Sequence, residues 1–119
     1  MRLSDLSGMT SLEVFNFVKK HLLTQGKRAL SSDKRQCAYK SNLDNTKCAA
    51  GCLISDEEYK SEWEHTSWCI LVDQGIVPNT HSKLIDKLQL IHDVYEPELW
   101  EAKLNDLGVA VISGDYEKN

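Results

Sequence analysis

The chain has 119 residues, 41% of them hydrophobic and 27% charged, with two prolines and six glycines. One domain fits that length, and the composition excludes collagen-like, low-complexity and wholly disordered chains. The formal net charge of -4 hides a division. Residues 1–48 carry nine bases against four acids, whereas residues 49–119 carry five bases against fourteen acids.

The start, Met1-Arg2-Leu3-Ser4-Asp5, lacks the apolar stretch of a signal peptide, and no run approaches the ~18 apolar residues of a membrane span. A cytoplasmic protein without a membrane partner is expected, and in that compartment thiols stay reduced. Cys37, Cys48, Cys52 and Cys69 are therefore read as free. Their spacing, C-x10-C-x3-C-x16-C, contains no C-x2-C knuckle and matches no compact zinc motif.

Along the chain, Thr10-Ser11-Leu12-Glu13 forms a capping box, with Met9 and Val14 placed for a hydrophobic staple. Leu12, Phe15, Val18 and Leu22 recur at helical spacing, and Gly26 suits a left-handed stop. Residues 27–36 read as a basic loop. Cys37–Lys40 and Lys47-Cys48 flank a polar turn, which predicts a small two-stranded antiparallel hairpin over about 36–48. The small apolar run Ala49–Ile54 should press into the core. Ser55-Asp56-Glu57-Glu58 is a second capping box and predicts a helix from Asp56 that carries Tyr59. A further helix is expected over 61–74, with Trp68, Leu71 and Val72 on one side and Gly75 as its stop.

A third helix follows Pro78-Asn79, with Leu84, Leu88, Ile91 and Tyr95 in one stripe that Ile85 and Val94 widen. Pro97 suits the first position of a fourth helix that buries Leu99, Trp100, Leu104 and Leu107 and that Gly108 caps. Residues 109–112 read as an edge strand or a tucked tail. The class expected is α+β, mainly helical, with about four helices and the small hairpin. It forms a single domain, with its core over about 10–112 and a frayed tail at 113–119.

Three chemistries compete for the residues in the middle. As metal ligands, Cys48 and Cys52 at i, i+4 could share a helix face, with Cys37 arriving from the hairpin and Cys69 or a histidine as a fourth, though buried thiols also pack as small hydrophobes. For thiol catalysis His92 is the candidate base. Adjacent helical residues point about 100° apart, so Asp93 is not expected to orient the His92 ring, which reads as half-buried at the stripe's edge. The basic segment Lys27–Lys47 could attract an anion, but the acidity of the whole chain disfavours duplex nucleic acid.

Cys37-x-Tyr39, followed by Lys47-Cys48-Ala49-Ala50-Gly51-Cys52-Leu53-Ile54-x-Asp56-x-x-Tyr59, resembles small proteins of tailed phages, prophages and some bacteria. Their pattern continues at His21–Gln25 (His-Leu-Leu-x-Gln) and Leu88–Asp93 (Leu-Gln-x-Ile-His-Asp), then Trp100, so the resemblance covers about residues 10–108. Lys40 stands where the pattern has Arg, and Ser55 where it has Pro. The family has no named activity. What the resemblance implies is phage origin, and the gathering of Cys37, Tyr39, Cys48, Gly51, Cys52, Glu64, His92 and Asp93 at one site or core junction.

The leading expectation is a small cytoplasmic phage-type accessory protein. It would bind a host macromolecule and modulate host metabolism or defence without catalysis and without a cofactor. Its divided charge would suit steering onto a host protein, or self-association. The alternative is a binder of a nucleotide-like anion, with Lys47 or Arg35 on the phosphate, Tyr39 stacking and Gly51 allowing close approach. A thiol or zinc enzyme using Cys48 or Cys52 with His92 is the third reading.

Overall fold

Thr10 opens the first helix as the capping box demands. Its Oγ1 accepts from Glu13 N at 3.1 Å, and Glu13 Oε1 accepts from Thr10 N at 2.9 Å. Helix α1 then runs Ser11–Gln25 and stops at Gly26, whose φ of +68° is left-handed. The structure is a computed structural model that describes residues 1–34 and 36–116, so Arg35 and the last three residues of the expected frayed tail lie outside the described residues. Its remaining α-helices are α2 (Trp68–Asp73), α3 (Ser82–Val94) and α4 (Pro97–Ile112), and single 3-10 turns occupy Leu3–Gly8, Gly51–Leu53 and Ser61–Trp63. No helix among the described residues is long and apolar enough to cross a membrane.

Helix α1 packs against α3 and α4, and α3 packs on α2 and α4. Leu84, Ile85, Leu88 and Ile91 of α3 are buried as their stripe requires, but Val94 is exposed. Each fully buried side chain of this kind stabilises the fold by about 1.5–3 kcal/mol. Leu3 and Leu6 are also buried, so the core begins before residue 10. Helix α4 does not stop at Gly108 but continues through the residues expected as an edge strand. Gly108 is there for close packing, because a Cβ on it would lie 3.1 Å from the Phe15 ring.

The hairpin is absent, and with it the α+β class. Among the described residues the arm over 30–47 forms only two isolated antiparallel bridges, Leu30 with Cys37 and Lys40 with Lys47, so the fold is mainly helical. The reason lies in where the arm's amides go, since every buried amide needs an acceptor. Tyr39 N and Lys40 N donate to the two Glu64 carboxylate oxygens at 2.9 and 3.1 Å, and Lys47 N donates to Gln25 Oε1 at 2.9 Å. Ala38 N turns the other way, to Ala29 O at 2.8 Å. Side chains fill the places of a partner strand. The polar turn itself forms, with Asn45 at a φ of +60° and Thr46 bonded to Asp44.

The two helices expected over 56–74 are corrected by the same kind of competition. Ser55 and Glu58 exchange their capping bonds, but Glu58 also accepts from Leu3 N at 3.0 Å and only a turn follows. Beyond it Glu64 is drawn to the arm and His65 takes a φ of +65°, so just the 3-10 turn and α2 survive of residues 61–74. Helix α3 starts after His81, a buried histidine at a φ of +64° whose Nε2 donates to Met9 O at 2.7 Å.

Gly51 is packed most tightly of the glycines at 8, 26, 51, 75 and 108, since an added Cβ would lie 1.9 Å from Tyr39 O. Gly51→Ala is expected to cost about 3 kcal/mol or more in chemical denaturation, because backbone must move. At Gly8, where a Cβ meets nothing within 4 Å, the same substitution should shift stability by less than about 0.5 kcal/mol.

Candidate functional site

The last turn of α3 points His92 inward, where it is fully buried. His92 Nε2 faces Ala29 N at 3.1 Å, and a backbone amide can only donate, so Nε2 carries no proton. The ring proton therefore sits on Nδ1 and is donated to Asp93 Oδ1 at 2.7 Å. The half-buried histidine that Asp93 could not orient is thus corrected on both counts. Nδ1 is the ring nitrogen nearer the backbone, and a short Asp side chain one residue on bridges the gap between the two Cβ directions. Trp100 stacks on the ring with centroids 5.5 Å apart, and Arg28 donates to His92 O at 3.2 Å and Tyr95 O at 2.7 Å, closing the free carbonyls at the end of α3.

Asp93 Oδ1 also accepts from Gln89 Nε2 at 2.8 Å, and Gln89 Oε1 accepts from Ala50 N at 2.9 Å. The Cys37 Sγ lies within 4.8 Å of the facing ligand atoms of Asp93 and His92. The Asp93 carboxylate faces the arm at Cys37 and is tied through Gln89 to the 3-10 turn after Ala50.

Beside this junction lies a cleft of about 340 Å³, walled by Cys37, Tyr39 and Cys48, by Glu64–Trp68 and by the Asp86–Asp93 face of α3. Tyr39 donates its hydroxyl to Thr66 O, and Tyr59 donates its own to Glu64. Of the residues singled out in the sequence, Cys37, Tyr39, Cys48, Glu64 and Asp93 meet at this cleft, with His92 behind them. Gly51 and Cys52 buttress it. Gly51 N donates to Cys48 Sγ at 3.2 Å, and Cys52 Sγ donates to Ala49 O at 3.0 Å. Lys47 stays outside, its Nζ 3.0 Å from Asp56, which Lys40 shares at 3.2 Å. These lysines hold the Asp56 carboxyl below its usual range.

Sequence reasoning missed Asp86, Gln89, Trp68, Ala29 and Gln25. A signal existed for the first two: Asp86, Gln89, Leu90 and Asp93 recur at i, i+3, i+4, i+7 and form a second stripe on α3 beside the apolar one. Nothing local marks Ala29 or Gln25.

The chemistry follows from proton positions. Burial, then Asp93, pushes the Cys37 thiol up to about 12. Burial pushes Cys52 to about 12 and raises Cys48 further, while Tyr39 is raised by burial and then by Cys48 and Glu64. No ready nucleophile is present among them, because the thiolate is the reactive form. The nitrogen of His92 that would face a nucleophile is instead capped by an amide.

Ligand atoms of Cys37, His92 and Asp93 lie within 4.8 Å of one another, which suits a metal by distance alone. A metal needs a thiolate and a bare imidazole nitrogen. Here His92 Nε2 accepts from Ala29 N and Nδ1 donates to Asp93, so His92 and Asp93 form a hydrogen-bonded hub that leaves no bare imidazole nitrogen for an ion. The cleft also runs against an anion, since Glu64, Asp86 and Asp93 line it and no Lys or Arg among the described residues does. Arg35, the other candidate for a phosphate, lies outside the described residues. Compared with known proteins, the chain matches no family model, no curated protein and no solved structure.

Alkylation of the intact protein with iodoacetamide at neutral pH should modify the exposed Cys69 first. Cys37 and Cys52 should lag by about a thousandfold, since a rise from 9.0 to about 12 shrinks the thiolate fraction by that factor. Mass spectrometry of timed digests reads this directly, and rapid labelling of Cys37 or Cys48 in the folded protein would contradict it.

Proposed function

We propose that the protein acts by binding and not by catalysis. In this reading it is a small phage-type accessory protein of the host cytoplasm that engages a host macromolecule at the Tyr39 cleft and so alters host metabolism or defence. The observation that carries the reading is that the groups the sequence pairs for thiol catalysis, Cys48, Cys52 and His92, are engaged in holding the fold, while the cleft beside them opens at the surface. His92 is capped on both nitrogens, and Cys37, Cys48 and Cys52 are held as thiols.

The charge division adds support. Arg2 pairs with Glu57 at 2.9 Å, Arg28 with Glu96 at 3.8 Å, and Lys40 and Lys47 with Asp56, so much of the basic half meets the acidic half within the molecule. What is left for a partner is a surplus of acid, gathered in part at the cleft. The phage setting rests on the resemblance over residues 10–108.

Immobilised protein exposed to bacterial lysate is expected to retain one partner in near-stoichiometric amount, displaced by excess untagged protein. Its expression should change host growth or phage infection. No retained partner together with no effect on growth or infection would overturn the proposal.

A further inference from the structure

The geometry points to an arginine side chain, presented by a peptide segment of the partner, as the group that fills the Tyr39 cleft. This deepens the binding reading above and rests on it.

Three observations converge. Among the described residues Glu64, Asp86 and Asp93 line the cleft without a Lys or Arg, and Asp86 makes no hydrogen bond or ion pair. A concave wall of low dielectric focuses the field of such charges and concentrates cations. Burial, then Cys48, and then Glu64, Asp93 and Asp86 disfavour the Tyr39 phenol as an anion, so the three carboxylates all act at this ring, and Asp86 is itself raised by burial.

Trp68 supplies the second, independent requirement. It is 2% exposed, it lines the same cleft, and its indole Nε1 is a buried donor with no acceptor among the described residues. Buried donors are almost always satisfied, so the ligand that completes this site brings an acceptor. A bare metal ion or a polyamine offers none. A basic residue within a peptide offers both parts: a cation for the carboxylates and a carbonyl oxygen for the indole.

Size and shape narrow the choice. A cleft of about 340 Å³ suits one long side chain with its peptide unit. Arginine fits better than lysine, because a planar guanidinium donates to two carboxylates at once and stacks on an aromatic face such as that of Tyr39.

The test is a titration of 15N-labelled protein with N-acetyl-L-arginine methylamide, and in parallel with the citrulline analogue, its neutral isostere. The arginine probe is expected to move the Trp68 indole N–H resonance downfield and to bind at least tenfold more tightly than the citrulline probe. Asp86→Asn should weaken the arginine probe at least tenfold with an unchanged melting temperature, as Asp86 supports no other group. Trp68→Phe, which keeps a ring and removes the donor, should weaken both probes. Equal affinity for the two probes, an unmoved Trp68 resonance or full affinity in Asp86→Asn would overturn the inference. If the protein then still retains a partner from lysate, the arginine assignment falls and the binding reading stands. Arginine binding without any macromolecular partner would overturn the partner reading alone.

Discussion

Ala29 N donates to His92 Nε2 in a place where neither atom meets water, and the hinge between the helical core and the irregular arm depends on that bond. Leaving either group unsatisfied would cost about 1–3 kcal/mol. The bond also decides which nitrogen holds the proton, and so which way the ring can donate. Because Nδ1–H must face outward along α3, Asp93 is held in place, and Asp93 in turn accepts from Gln89 with the Cys37 thiol beside it. Trp100 stacked on the ring and Arg28 on the helix-end carbonyls bring α4 and the start of the arm to the same point. Chains of hydrogen bonds in a low-dielectric interior polarise one another, so this network stiffens a region with no regular secondary structure of its own.

The arm is the second consequence. Residues 30–47 behave as a pair of strands whose partners are side chains: Glu64 receives two consecutive amides, and Gln25 takes Lys47 N while donating to Lys47 O. His21 reaches the same carbonyl at 2.8 Å, and burial keeps its pKa low. An arm tied this way exposes no long edge of free amides to another chain. It stands instead as one wall of the cleft, with its carboxylate fastener, Glu64, at the floor.

Much of the helical frame was legible in the sequence because its determinants are local. The Thr10 box and Gly26 bound α1, the spacing of Leu84, Leu88 and Ile91 marks α3, and Pro97 opens α4. The arm was not legible, since the hydrogen bonds that replace its strand pairing, from Tyr39, Lys40 and Lys47, join residues more than twenty positions apart and leave no periodic trace. Gly108 misled for a different reason. A glycine that stops a helix and a glycine that lets Phe15 lie close to one look alike in a sequence, and only the neighbouring helix tells them apart. Cys37, Tyr39, Cys48, Glu64 and Asp93 line one cleft, but their chemistry is not legible in sequence, because Cys37, His92 and Asp93 are the same residue types whether a proton or a substrate lies between them.

The most direct test of this arrangement is the tautomer of His92, read from long-range 1H–15N correlations of its imidazole in the folded protein at neutral pH. A protonated Nδ1 with a bare, hydrogen-bond-accepting Nε2 is predicted, the form that Ala29 N imposes. A proton on Nε2 would contradict it, because the ring would then be released from the amide and the junction of arm, α3 and α4 would have to be held by something else.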